Sequence, residues 1–241
     1  MLKNNTTTLY SEIFSASLEN RKLIAILIDP EEFTIETTSE FLKQIPPETT
    51  HVFVGGSTVP NGATEAVVTA LKFQTEKPII LFPGDVSQLT PKADALLFLS
   101  LLSGDNPEYL IGQHVKAVSK VRDFGLVVIP TAYLLLDGGH QSAVARVTGT
   151  TPMSQENVQI IVDTAKAGEL LGMKLIYLEA GSGAKNPVSE AIIRAVKNEI
   201  NIPLIVGGGI RTESQKQAAY QAGATMVVMG TQFEVRSAND E

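Results

Sequence analysis

Three consecutive glycines, Gly207-Gly208-Gly209, follow the apolar run Pro203 to Val206 and lead into Ile210-Arg211-Thr212. Glycine suits positions where φ is positive or where bare backbone must approach a ligand. Thr212, with Gln215 three places on, reads as a capping box that opens a helix. A strand, a glycine turn and a helix start gather amide N–H groups at the positive end of a helix dipole, a place suited to phosphate. Glu179, leaving the segment Tyr177-Leu178-Glu179-Ala180-Gly181-Ser182-Gly183, is the best-placed carboxylate to act as a general base or to orient a hydroxyl group. Asp29 before Pro30, and Ser57 in Gly55-Gly56-Ser57-Thr58, offer oxygen ligands of the kind magnesium takes. On spacing alone, a strand-ending turn at Asp29 and a turn former at Ser57 are the alternatives. His51, His114 and His140 are scattered and lack transition-metal spacing.

The elements that must position these residues alternate strand and helix. A leading helix spans Leu9 to Leu18, and buried strands are expected at Leu23–Ile28, Val52–Phe53–Val54, Pro78–Phe82 and Ala95–Leu99. Four more are expected at Leu126–Ile129, Leu175–Leu178, Pro203–Val206 and Thr225–Met229. Thr37 with Glu40 predicts a second capping box, and Asn106-Pro107 and Asn186-Pro187 predict N-caps with proline at the first helical position. Ser154 is expected to cap another helix, and Ile111, Val115 and Val118 share one helix face. Pro91 interrupts the connection after strand three, so a loop or single turn is expected where the pattern calls for a third helix. No regular period holds from Pro130 to Met153, the mark of a lid or binding segment.

Eight strands alternating with helices predict a single α/β domain, a (β/α)8 TIM-type barrel with a leading N-terminal helix. A doubly wound sheet would carry its glycine signature after the first strand. Here the glycine turns follow strands two, six, seven and eight, and in a barrel the last two build the common phosphate site.

Composition sets further bounds. The chain has 241 residues, 44% of them hydrophobic, and a formal net charge of -7, which argues against a nucleic-acid partner. Without cysteine there is no thiolate nucleophile, disulfide or zinc-thiolate site. The first residues lack an apolar signal core, and Leu23 to Ile28 is far short of the roughly 20 residues that span a bilayer. The expectation is a cytoplasmic enzyme with no transmembrane segment.

Eight runs together carry a resemblance. LIDPEE (Leu27 to Glu32), VGGST (Val54 to Thr58), LFPGD (Leu81 to Asp85), IPTAYLLLDGG (Ile129 to Gly139), SAVARVTGTTP (Ser142 to Pro152), YLEAGSGA (Tyr177 to Ala184), VGGGIRT (Val206 to Thr212) and VMGTQFE (Val228 to Glu234) occur in order at strand ends. The sequence resembles the geranylgeranylglyceryl phosphate synthase family, which includes the bacterial heptaprenylglyceryl phosphate synthases. The resemblance implies a magnesium-dependent prenyltransferase that joins the 3-hydroxyl of sn-glycerol 1-phosphate to a long allylic prenyl diphosphate, releasing pyrophosphate. It also implies a homo-oligomer, and a lipid-like product is compatible with peripheral membrane contact.

By the family pattern Asp29 and Ser57 hold magnesium, while Tyr177, Leu178, Glu179, Ala180, Gly181, Ser182, Gly183, Gly208, Gly209, Gly230 and Thr231 hold glycerol phosphate. Thr231 stands where the family often has asparagine. The prenyl tail needs an apolar groove, for which Leu96 to Leu102 and Ala132 to Leu136 are the candidate segments. Leu101 and Leu102, expected beyond the end of strand four, and Tyr133 are the groove residues predicted from them. A sugar-phosphate isomerase or lyase, or a non-catalytic phosphate-metabolite binder, would use the same glycine loops without the groove.

Overall fold

The computed structural model describes residues 8–230. Parallel strands close into a barrel in chain order: β1 (Leu23–Ile28), β2 (His51–Val54), β3 (Ile79–Leu81), β4 (Ala95–Leu101), β5 (Val127–Leu135), β6 (Leu175–Glu179), β7 (Leu204–Gly207) and β8 (Met226–Met229). β8 returns to β1, with Leu23 beside Met226 and Ile26 beside Met229. Around them stand α1 (Thr8–Leu18), α2 (Thr38–Gln44), α3 (Ala63–Lys72), α4 (Gln113–Phe124), α5 (Ala143–Thr148), α6 (Val158–Leu170), α7 (Glu190–Glu199) and α8 (Glu213–Ala222).

The strands are unbroken apolar runs because both of their faces are covered. Leu23, Ala25, Phe53, Ile80, Tyr177 and Met226 fill the barrel interior. Their neighbours Ile24, Ile26, Val52, Ile176 and Val206 face the helices. Leu9, Ile13 and Ala16 of α1 join the interior cluster. The Tyr10 hydroxyl donates to the Lys174 carbonyl (3.4 Å) just ahead of β6, which sets α1 at the end of the barrel where the strands begin.

The connection between β3 and β4 is a single 3-10 turn, Val86–Gln88, as the proline pattern predicts. Asp85 starts it by accepting from the Ser87 amide at 2.6 Å. The Thr212–Gln215 capping box forms in both directions. The Thr37–Glu40 box does not, because Thr37 ends a 3-10 turn and its hydroxyl donates to the Thr34 carbonyl (2.7 Å). Two further caps fall three residues later than expected. Asn157 stands at the N-cap of α6 in place of Ser154, and the Ser189 side chain caps α7 in place of Asn186.

β4 and β5 are longer than their sequence signals. They pair from Ala95–Val127 to Leu101–Tyr133, with Pro130 inside the ladder. Proline lacks an N–H, which argues against a central strand. Here it lies one residue before β5 begins pairing with β6 at Thr131–Leu175, so little of that ladder is lost. The aperiodic segment thus begins as strand and later contains α5, a helix of 6 residues that is too short to show a period. The expected face exists but points outward: Ile111, in the π-helical turn Glu108–Gly112 that leads into α4, and Val115 and Val118 on α4 are exposed, while His114 and Ala117 are buried.

Leu101 is the last residue of β4 and faces the interior cluster, so it does not lie beyond the strand. Leu102 faces the other way, against Gly168 of α6. A Cβ on Gly168 would lie 2.8 Å from the Ala132 Cβ and 3.0 Å from Leu102 Cδ1. Glycine to alanine inside a helix ordinarily stabilises by up to about 1 kcal/mol. Leu102 can move aside, but the Ala132 Cβ is fixed to β5, so overpacking should win. Gly168→Ala is therefore expected to destabilise by about 1–2 kcal/mol, read as a lower urea midpoint; a raised midpoint would contradict this packing.

Candidate active site

A polar cavity opens where the strands end, lined by Asp29, Ser57, Tyr133, Glu179, Gly208 and Gly230 among others. This is the face on which barrels of this kind carry their sites. An aromatic group walls its inner end: Phe82 lies 5.3 Å from Tyr177 between ring centroids, and Tyr133 lies 5.4 Å from Tyr177.

Glu179 is the last residue of β6 and points inward, with 6% of its surface exposed. A carboxylate so placed must be paired or hydrogen-bonded. The Gly181 amide donates to its Oε1 at 2.7 Å. Burial pushes its pKa up to about 7, and the Gly181 amide and the Tyr177 hydroxyl oppose that rise. The Tyr177 hydroxyl rests near this carboxylate, buried and without a hydrogen bond of good geometry.

The glycine triplet makes room for this pair. A Cβ on Gly207 would sit 2.5 Å from the Tyr177 hydroxyl and 2.7 Å from Glu179 Oε2. One on Gly208, where φ is +82°, would sit 2.4 Å from Glu179 Oε1 and 2.6 Å from the Ala180 and Gly181 nitrogens. The capping box engages the Arg211 and Thr212 amides with Gln215 Oε1, at 2.8 and 3.1 Å. Any anion contact from this segment therefore falls to the glycine turn rather than to the capped helix end.

Across the mouth, Asp29 follows β1 and accepts from the Glu31 amide at 3.0 Å. Burial pushes its carboxyl up to about 6, the Glu31 amide opposes this, and the charges of Glu32 and Glu31 add to it. Its oxygens rest against Gly56, where a Cβ would come within 2.3 Å of Oδ2. Ser57 is the next residue and lines the same cavity. Among the described residues no three His, Cys, Asp or Glu side chains form a metal cluster. One carboxylate beside one hydroxyl still fits magnesium, which keeps several waters and takes substrate phosphate oxygens rather than an all-protein cage. Glu31 and Glu32 are exposed and also line the mouth.

A second cavity adjoins the first and is walled mainly by apolar side chains, among them Leu97, Leu99, Leu101, Val144 and Val147. Gly56, Ser57, Phe82, Tyr133 and Val144 line both. The two cavities therefore meet beside Ser57.

Most of the predicted site residues come together here. Asp29, Ser57, Tyr133, Tyr177, Glu179, Ser182, Gly183, Gly208, Gly209 and Gly230 all line the polar cavity, and Leu101 lines the apolar one. Leu178 and Ala180 do not, because strand alternation turns their side chains outward into the core. Gly181 stands behind the cavity wall, engaged with Glu179. Leu102, against α6, lines neither. Thr231 lies outside the described residues. Lys185 is exposed and away from the cavity, and Arg146 and Arg211 are the cations that line it. Arg146 and Val144 escaped sequence reading because α5 is short; the signal that could have found it is Ser142, whose side chain accepts from the Ala145 amide at 3.1 Å.

Fold and mouth define the class: a (β/α)8 barrel with glycine turns after its last three strands and a polar cavity between them. The PcrB family profile matches residues 17–240, and the chain belongs to that family. It is 57% identical to the geranylgeranylglyceryl phosphate synthase of Zunongwangia profunda, over 92% of this chain and 95% of that one. It is 48% identical to the enzyme of that name from Flavobacterium johnsoniae, over 95% and 94%. The crystal structure of (S)-3-O-geranylgeranylglyceryl phosphate synthase from Thermoplasma acidophilum, in complex with its substrate sn-glycerol 1-phosphate, superposes with a TM-score of 0.87 at 36% identity, covering 97% of this chain and 94% of that one.

Gly208→Ala should destabilise the protein by about 1–3 kcal/mol, since at a positive φ the new methyl would meet the buried Glu179 carboxylate and the Ala180 and Gly181 backbone nitrogens. Urea denaturation would read this, and a wild-type midpoint in the variant would contradict this packing.

Proposed function

We propose that this protein is a magnesium-dependent prenyltransferase that joins sn-glycerol 1-phosphate to a long-chain allylic prenyl diphosphate, with chain length set by the apolar cavity and geranylgeranyl diphosphate as the expected donor. The observation that carries this reading is the meeting of a polar, glycine-walled cavity with an apolar one beside Ser57. A sugar-phosphate isomerase needs only the first. Two substrates, one small and anionic, the other long and apolar with an anionic head, need both. The names of the relatives and the ligand of the Thermoplasma acidophilum structure support the same assignment.

In this reading the turns at Gly183, Gly208, Gly209 and Gly230 hold the acceptor phosphate, and the neighbouring cation is Arg211. The tail lies among Leu97, Leu99, Leu101 and Val144, which places the donor head at the junction by Ser57. Asp29 and Ser57 would hold magnesium, which when bound neutralises charge on the departing pyrophosphate as a Lewis acid. The acceptor oxygen forms a bond to the allylic carbon, the carbon–oxygen bond to pyrophosphate breaks with its electron pair, and Glu179 takes the hydroxyl proton. Tyr177 orients Glu179, and the aromatic wall of Phe82, Tyr133 and Tyr177 keeps water from the allylic carbon. Fixing both substrates in one mouth supplies the proximity that the reaction lacks in solution.

Self-association and work in the cytoplasm belong to the same proposal. The exposed apolar row of Ile111, just ahead of α4, with Val115 and Val118 on it supports the first. No described helix is long and apolar enough to cross a membrane.

The reading is tested by incubating the protein with magnesium, each glycerol phosphate enantiomer and a series of prenyl diphosphates, then identifying products by mass spectrometry. An ether formed from the sn-1 enantiomer supports it, and no product with any donor overturns it. Chelation of magnesium should stop turnover, and Asp29→Ala should lower kcat by a hundredfold or more while leaving glycerol phosphate affinity within about twofold. Because Glu179 must be ionised to take the proton and its pKa is raised to about 7, kcat/KM should fall as pH drops below about 7, roughly tenfold per unit. Glu179→Gln should abolish most activity and flatten that acid limb; an unchanged limb would assign it to another group.

A further inference from the structure

We propose that His140 is a positioning residue that aims the Gly183 amide at the acceptor phosphate by holding the Ser182 carbonyl from outside the cavity. This rests on the reading of that cavity as the glycerol phosphate site.

The turn that contains Gly183 is tight and takes glycine where φ is positive. Gly181 has φ +96° and Gly183 φ +75°. It is closed by a bond from the Ala184 amide to the Gly181 carbonyl at 3.1 Å. Such a turn can rotate its central peptide plane at little cost unless something outside fixes it.

His140 lies against this turn, with Nε2 2.9 Å from the Ser182 carbonyl oxygen. A carbonyl only accepts, so Nε2 is the donor in this bond. Nδ1 is buried and without a partner. The described chain has no cis peptide bond. In a trans peptide the C=O of one residue and the N–H of the next point in opposite directions. A Ser182 carbonyl drawn outward to His140 therefore turns the Gly183 N–H the other way. Gly183 lines the polar cavity and His140 does not.

The segment that carries His140 is itself laced to the same loop. The Leu136 amide donates to the Glu179 carbonyl at 2.8 Å, and Gly138 O accepts from the Lys185 and Asn186 amides at 2.9 and 3.1 Å. The Gly139 amide donates to Asp137 Oδ1 at 2.8 Å. The Ser142 Cβ covers Gly181, where an added methyl would come within 2.8 Å of it. These backbone bonds hold the loop's flanks, and the one from His140 grips its centre. Removing the ring should therefore leave the fold in place and loosen one peptide plane.

The test compares His140→Ala and His140→Gln with wild type, by calorimetric titration of sn-glycerol 1-phosphate and by steady-state kinetics in both substrates. His140→Ala is expected to raise the Kd and KM for glycerol phosphate about tenfold, with kcat and the KM for prenyl diphosphate within about twofold and Tm nearly unchanged. His140→Gln, whose amide can donate from the place of Nε2, should recover most of that loss. Unchanged glycerol phosphate affinity in His140→Ala would overturn the proposal and leave the assigned reaction standing. Equal losses in both KM values with a lowered Tm would overturn it as well, in favour of a general structural role. A wild-type protein that fails to bind glycerol phosphate would end both this proposal and the reading beneath it.

Discussion

A carboxylate inside a barrel must find donors there or give up its charge. Glu179 has one firm donor, the Gly181 amide at 2.7 Å, and the space it occupies exists because Gly207 and Gly208 have no side chains. The contact is reciprocal. The carboxylate stations the start of the Gly181–Gly183 turn, and the absent methyls let the β7 turn approach it. Residues from β6 and β7 thus set one another, and the raised pKa of Glu179 follows from the same burial. A group that is half-ionised near neutrality can accept a proton and later return it to solvent.

The barrel distributes the remaining parts by strand. Asp29 and Ser57 belong to the ends of β1 and β2, and the apolar cavity lies mainly against β4, the loop after β3 and α4. The glycine turns belong to β6, β7 and β8. Ser57 and Tyr133 stand where these regions meet, lining both cavities. Ligands of opposite character can then meet at one point without either crossing the ground of the other. α5 closes the arrangement: Val144 faces both cavities, and Arg146 brings a cation to a mouth that already holds Asp29, Glu31, Glu32 and Glu179.

Much of this was legible in the chain itself. The eight strands were, because a strand covered on both faces is a plain apolar run. The Thr212–Gln215 box was, because both of its bonds are local. Positions that depend on tertiary neighbours were not. Pro130 reads as a strand end, yet sits harmlessly where β6 pairing has not begun. Leu178 and Ala180 lie within a contiguous motif, yet alternate out of the cavity, and Leu102 turns to α6 because β4 extends two residues further than its signal. The row on and just ahead of α4 has correct helical spacing, but spacing alone does not say whether a face meets the core or solvent.

The claim at the centre is spatial: one small anion on the glycine turns of β6, β7 and β8, with its free hydroxyl directed past Glu179 toward the apolar cavity. A crystal structure with sn-glycerol 1-phosphate and a thiolo analogue of a prenyl diphosphate bound together tests it most directly. The account predicts phosphate oxygens within hydrogen-bonding reach of the Gly183 and Gly208 amides, the 3-hydroxyl beside Glu179, and the prenyl tail among Leu97, Leu99 and Leu101. Glycerol phosphate lodged by Asp29, or a tail lying outside that cavity, would contradict it.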